Sequence, residues 1–239
     1  MRAIEAVIVE RLGGEANLKL EDRRSVIPLS NFYGIEIKGF AAEIARLALL
    51  IAEFQADCLY LSQQEARAMV LPLHKTGQIT VDNALRLDWL EVCPPSGATL
   101  VEEQDLSGPT GRLALEESGL NEVAEVETYI CGNPPFSGTR KQSLAQKYDL
   151  EITFSRLTKN WKNADYVGAW FAKAAVYNLS CVAPFSFVAT NSFCQGQQVS
   201  ITWQCIFDMG LKIRFAHTSF EWKNLAANKA GVTVVTVSY

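Results

Sequence analysis

Tyr129-Ile130-Cys131-Gly132-Asn133-Pro134-Pro135-Phe136 reads as a short apolar strand, over residues 128–131, that runs into a stiff turn. The two prolines fix φ and remove two N–H donors, so carbonyl oxygens are left free to point into a pocket. The side-chain oxygen of Asn133 and the carbonyl of Pro134 can both accept hydrogen bonds from one planar –NH2 group. Phe136 offers a face on which a flat ring can stack. Together these groups hold an aromatic amine and turn its nitrogen lone pair toward an electrophile. Asn-Pro and Pro-Pro also punctuate ordinary loops. The strand before the turn and the elements around it separate the two readings.

Outward from this stretch the chain alternates between strand and helix patterns. Apolar runs predict strands over 32–37, 79–85, 185–190, 211–216 and 232–238. Helical spacing predicts helices over 3–12, 40–55, 63–70, 166–178 and 199–209, with a further helix and loop within the polar, basic stretch 137–163. Gly13-Gly14 stops the first helix and Gly210 the last. The last two strands lack a convincing helix between them, which suggests an antiparallel pair at one edge, joined by a loop carrying His217, Phe220 and Trp222. Strands alternating with helices predict a three-layer α/β fold with a mostly parallel sheet.

Charge is distributed unevenly. The net charge of −4 combines −10 over residues 1–137 with +6 over residues 138–239. The positive part begins just after Phe136, with Arg140, Lys141, Lys147, Arg156, Lys159 and Lys162, where a polyanion would be gripped. Any one of these taken singly also reads as a solvated surface cation. Residues 96–127 carry eight acids against the single base Arg112, broken by glycines and Pro109, and read as an acidic insertion loop.

Composition is that of a soluble globular protein, 49% hydrophobic and 20% charged. No apolar run is long enough to span a bilayer and no signal peptide is expected. Cys58, Cys93, Cys131, Cys181, Cys194 and Cys205 form no Cys-x-x-Cys pair, and the histidines are only His74 and His217. Neither a zinc site nor a disulfide framework is expected, and the cysteines read as small core residues in a reducing cytoplasm. A nucleophilic cysteine for cytosine-C5 methylation would follow a proline at the position of Asn133–Phe136; Cys93 instead precedes Pro94-Pro95.

The order of these pieces resembles the S-adenosyl-L-methionine (SAM)-dependent DNA adenine-N6 methyltransferases, most of all the methyltransferase region of large type II restriction–modification enzymes that fuse nuclease, methyltransferase and specificity parts. Asn31-Phe32-Tyr33-Gly34-Ile35-Glu36-Ile37 before an Ala-rich helix is similar to the family's second motif. Asn83-Ala84-Leu85 resembles the third, Ile130–Gly138 the fourth, Ala164-Asp165-Tyr166-Val167 with Trp170 the fifth, and Thr190-Asn191-Ser192 the sixth. Phe215-Ala216-His217 with Phe220-Trp222 resembles the eighth.

The resemblance implies a Rossmann-like class I methyltransferase fold over residues 1–239. It also implies methyl transfer from SAM to the N6 of an adenine flipped out of double-stranded DNA. Asn133, Pro134, Pro135 and Phe136 would hold the amine. Glu36 would bond the ribose hydroxyls of SAM, as an acid ending the second strand of a doubly wound sheet does. Ile37 would cover its adenine, Asp82 or Asn83 would hydrogen-bond that adenine, and Asp165 and Tyr166 would shape the pocket wall. Ser137, Arg140, Lys141, His217 and Phe220 would face DNA. The same amine-holding loop would also suit glutamine in a protein or guanine N2 in ribosomal RNA, although the flanking motifs fit these less well.

Two family parts are missing from the pattern. No Gly-x-Gly, the turn that wraps the methionine end of SAM, occurs anywhere in the 239 residues. No stretch is left over for a target-recognition domain. The sequence therefore reads as a central fragment, expected to lack the first-motif strand. It would be inactive alone, a remnant, or dependent on separate chains that supply the first motif and target recognition.

Overall fold

The computed structural model describes residues 28–60, 66–67, 78–95, 128–221 and 233–238. The helix expected over 3–12, nearly all of that over 63–70, the acidic loop 96–127 and Trp222 lie outside these. The chain divides into two compact units, Met1–Leu87 and Asp88–Tyr239.

In the first unit, β1 (Tyr33–Glu36) pairs in parallel with β2 (Gln78–Val81), Glu36 opposite Val81. Helix α1 (Gly39–Tyr60) crosses between them. Its Ala- and Leu-rich sequence favours helix at nearly every position. Arg46 ties the helix to the sheet by donating to the Ile79 carbonyl at 2.6 Å, while it also pairs with Glu43. The strand expected over 79–85 ends at Val81. The Asn83 carboxamide accepts the Leu85 N–H at 3.0 Å, and the Arg86 N–H reaches the Asn83 carbonyl at 2.9 Å. This side-chain turn competes successfully with the strand ladder.

The second unit opens with a one-turn helix, α2 (Trp89–Val92), capped by Asp88, whose carboxylate accepts the Leu90 N–H at 2.9 Å. It continues with β3 (Ile130–Gly132), α3 (Leu144–Phe154), α4 (Gly168–Asn178), β4 (Phe185–Thr190), α5 (Gln204–Asp208), β5 (Phe215–Glu221) and β6 (Thr233–Ser238). The sheet order is β3-β4-β6-β5; β3 and β4 are parallel, and β6 alone runs against its neighbours. The expected antiparallel pair is therefore β5 and β6, with β5 at the edge. Ser143 and Gln146 start α3 with a reciprocal capping box. A π-helical turn over Val199–Trp203 precedes α5, and Gly210 at φ 84° ends it in the left-handed region that favours glycine.

The core of this unit forms where α4 lies on β4. Every second residue of β4, Phe185, Phe187 and Ala189, is buried, as the two-residue period of a strand dictates. Phe171 of α4 is fully buried among Phe185, Phe187, Phe193 and Trp203, with ring centroids 4.6 to 6.4 Å away. Ala169, Ala172, Ala174 and Ala175 let the helix approach closely. These contacts anchor the strand whose end borders the site.

A second expected boundary moves. The last strand pair was expected to begin at 211 and to leave His217 and Phe220 in a loop. Residues 211–214 are unpaired, and both aromatics lie on β5, His217 opposite Thr236 and Phe220 opposite Val234, with a bulge between them. Aromatic and β-branched residues on both strands favour the longer pairing.

Candidate active site

Because β3 and β4 are parallel, their carboxyl ends emerge on one edge of the sheet. Asn133–Phe136 follows β3 directly, and Asn191-Ser192 follows β4. Gly132 packs closely at the exit, where a Cβ would stand 3.3 Å from the Phe187 ring. Pro134 is buried and anchors the turn, while Asn133 and Pro135 are exposed. Neither the Asn133 side chain nor the Pro134 carbonyl has a hydrogen-bond partner among the described residues.

Beside this turn lies a cavity of about 250 Å³ lined by Phe136, Ser137, Gly138, Lys141, Asp165, Val167, Thr190 and Ser192. Phe136 keeps 36% of its surface exposed. Four residues picked out from the sequence, Phe136, Ser137, Lys141 and Asp165, thus meet in one place. Arg140 stands next to Lys141 on the short 3-10 turn Thr139–Lys141, and both side chains are exposed.

The far wall is held by a polar network. Ser137 is fixed by its carbonyl, which accepts the Tyr166 N–H at 3.1 Å and the Gln142 carboxamide at 3.2 Å. Gln198 accepts the Asp165 N–H and donates to the Asn163 carbonyl, both at 2.8 Å. Tyr166 is buried; its hydroxyl donates to buried Asp149 at 2.8 Å and its ring meets Trp170 edge-on. Its role here is to hold the wall from behind, since it does not line the cavity. Asp165 does not cap α4; its side chain faces the cavity, where the Ser192 hydroxyl approaches at 3.5 Å.

Burial pushes the Asp165 carboxyl above its ordinary pKa, partly offset by the Ser192 hydrogen bond. For an acid raised on folding, ionisation opposes folding. The cost is absent below the unfolded value, near 3.9, and complete above the folded one. Asp165→Asn is therefore expected to raise the melting temperature near neutral pH, with the gain shrinking as the pH falls through the carboxylate range. Thermal melts over that range check this; a gain independent of pH would show that the carboxyl is not desolvated.

In the first unit, Glu36 and Val81 end two parallel strands side by side, so Glu36, Ile37, Asp82 and Asn83 gather at one carboxyl edge. Glu36 is half-buried and its carbonyl accepts the Asp82 N–H at 3.0 Å. Ile37 is 69% exposed. The Asn83 side-chain oxygen is engaged in its own turn, whereas Asp82, which accepts the Asn83 N–H at 2.6 Å, is exposed. An acid and an acceptor at such an edge can take hydrogen bonds from hydroxyl and amino groups of a ligand.

On β5, Phe220 lies toward the end opposite Val234, which itself faces Thr190, so Phe220 shares the sheet edge of the cavity. It is three strand positions from β3, about 14 Å at the usual spacing. His217 lies mid-strand, its ring 5.9 Å from that of Phe215. Gln142, Gln198 and Asp149 escaped the sequence reading. Nothing local marks them, because each works by reaching a backbone or hydroxyl group far along the chain.

A mixed α/β chain whose parallel strands end together at one sheet edge, beside a cavity, is consistent with a methyltransferase domain. The family described as "MmeI, DNA-methyltransferase domain" matches residues 1–239, and the chain belongs to it, a family of DNA methyltransferases of restriction–modification systems. It is 40% identical over 214 residues to DNA methyltransferase A of Bacillus subtilis (strain 168), covering 89% of this chain and 21% of that protein. The solved structure of the type IIL restriction–modification enzyme MmeI in complex with DNA is similar at a TM-score of 0.74 and 31% identity, over 99% of this chain and 28% of that one. The chain thus spans between a fifth and a third of the length of these relatives. Among the described residues, no helix is long and apolar enough to cross a membrane and no group of side chains could hold a metal ion.

Proposed function

We propose that this chain carries the catalytic part of an adenine-N6 DNA methyltransferase, using SAM on a base flipped out of double-stranded DNA in a cytoplasmic restriction–modification enzyme with a Rossmann-like, three-layer fold. The observation that carries the reading is the turn Asn133–Phe136, with two acceptors that have no partner among the described residues, beside an exposed aromatic face at the edge of a cavity. The Asn133 side-chain oxygen and the Pro134 carbonyl each take one hydrogen of the adenine amino group. Both acceptors then lie in the plane of the base, so the nitrogen lone pair is directed out of that plane, while Phe136 supports the ring from one face. SAM, when bound, supplies the electrophilic methyl group. Glu36 and Asp82 hold its ribose and adenine. The neutral amine needs no prior deprotonation, so this chain contributes positioning and electrostatics.

The test is transfer of labelled methyl from SAM to mixed genomic DNA, followed by digestion to nucleosides. Label in N6-methyladenine supports the reading, and label only in another base sinks it. Because no Gly-x-Gly occurs in the sequence, the methionine end of SAM is taken to rest on a further strand-and-turn segment, in the same polypeptide or in a separate chain. Outer β1 and β3 edges, unpaired among the described residues, offer backbone groups to such strands. Calorimetry should show negligible SAM binding by residues 1–239 alone and recovery when that segment is added; tight binding without it would remove the requirement.

Arg140 and Lys141, exposed next to the cavity, contact phosphates of the flipped strand in this reading. Neutralising both should flatten the log–log salt dependence of DNA binding by about 0.9 per lost contact. An unchanged slope in a fluorescence-anisotropy titration would make them ordinary surface charges.

A further inference from the structure

We propose that Gln142 is a positioning residue that clamps the two walls of the cavity together. Its carboxamide nitrogen donates one hydrogen to the Ser137 carbonyl at 3.2 Å and the other to the Ala164 carbonyl at 2.9 Å. Ser137 directly follows Phe136, and Ala164 directly precedes Asp165, so one side chain joins the stacking face to the acid across the cavity. The amide orientation is set by its surroundings. The flipped form would aim the oxygen at two carbonyl oxygens, neither of which can donate.

The cost of this arrangement is visible. Gln142 is only 9% exposed, and its Oε1 is buried without a partner among the described residues. A group kept only for packing would carry no such orphan acceptor, because an apolar side chain of that size fills the same space. What the carboxamide adds is two parallel donors to two carbonyls on segments 27 residues apart. The Ser137 carbonyl also receives the Tyr166 N–H. That amide therefore reports directly on whether the clamp is closed.

The role at the site rests on the methyl-transfer reading above; the clamp itself does not. Gln142→Glu keeps the shape but has no donor when ionised and one when protonated. Gln142→Met keeps the volume with no donor at any pH. The Tyr166 amide is followed by hydrogen exchange in the 239-residue chain, with intrinsic rates divided out. Arg140, Lys141, Lys147, Asp149, Glu151, Lys162 and Asp165, the charged groups on the surrounding elements, remain in all three proteins, so the wild-type profile removes their titration. At high pH, exchange at Tyr166 should quicken on the order of tenfold in both variants, as expected for loss of one or two hydrogen bonds. On lowering the pH, Gln142→Glu should slow again and Gln142→Met should not. Exchange in the β4 amides should stay at the wild-type rate.

Wild-type exchange at Tyr166 in both variants overturns the clamp, as does equal acceleration in β4, which would mean general loosening. In the methylating protein, kcat should follow the same pH pattern while KM for SAM holds. If the wild type, supplied with the segment for the methionine end of SAM, transfers no methyl to DNA but the exchange pattern appears, the clamp stands and the methyl-transfer reading fails. If kcat is unchanged while exchange quickens, the clamp exists but does not position the site, and the proposal fails.

Discussion

In the protein supplied with a segment for the methionine end of SAM, Asn133→Ala is expected to abolish DNA methylation while leaving SAM binding nearly unchanged. Asn133 leaves β3 in the exposed turn, and its side chain has no partner among the described residues. Truncation therefore removes no hydrogen bond to any described residue. What it removes is one of two acceptors for the amino group. With Pro134 alone, the amine is free to rotate and its lone pair is no longer aimed. By analogy with deleting one preorganised donor, the loss is roughly 2.7–4 kcal/mol, or 10²–10³ in kcat. The measurement is single-turnover methyl transfer, with SAM affinity by calorimetry alongside. Wild-type turnover in the variant would refute the assignment of this turn. A large fall in SAM affinity would instead place Asn133 on the cofactor side.

Glu36→Ala is expected to weaken SAM binding far more than DNA binding. Glu36 ends β1 next to Val81 of β2, and its backbone is held by the Asp82 N–H at 3.0 Å. The backbone that carries the carboxylate is thus paired on the sheet, and in the proposed reading the carboxylate takes the ribose hydroxyls. Losing hydrogen bonds to a charged group costs about 1.5–3 kcal/mol, a factor of roughly ten to a hundred in Kd. Calorimetric titration of SAM, in the protein supplied with a segment for the methionine end, is the check. Unchanged affinity would take Glu36 out of the site.

The two substitutions differ in how much of their rationale was written locally. The turn at Asn133–Phe136 is legible because proline chemistry is local: two missing N–H groups and two fixed φ angles follow from residue type alone. β4 and α4 are legible for the same reason, since Phe185, Phe187 and Ala189 alternate and the alanines of 169–175 favour helix. The end of β2 is not, because Asn83 chose its own turn over the ladder, a competition between two local hydrogen-bonding options. Nor is β5, where His217 and Phe220 enter the sheet only because β6 lies alongside to pair with them.

Sequence alone determined the α/β alternation, the proline turn after β3, the acid at the end of β1 and the family resemblance, all of which rest on residue type and short spacing. Tertiary structure alone decided that Ser137, Lys141, Asp165, Thr190 and Ser192 share a cavity with Phe136. Only there do Gln142 and Gln198 brace the loop at 163–165, and only there does Tyr166 turn away to Asp149. Each of these is a hydrogen bond or contact between residues far apart in the chain. Which polar groups meet across such distances is set by the pairing of β3 with β4 and the packing of α3 and α4, and no local pattern encodes it.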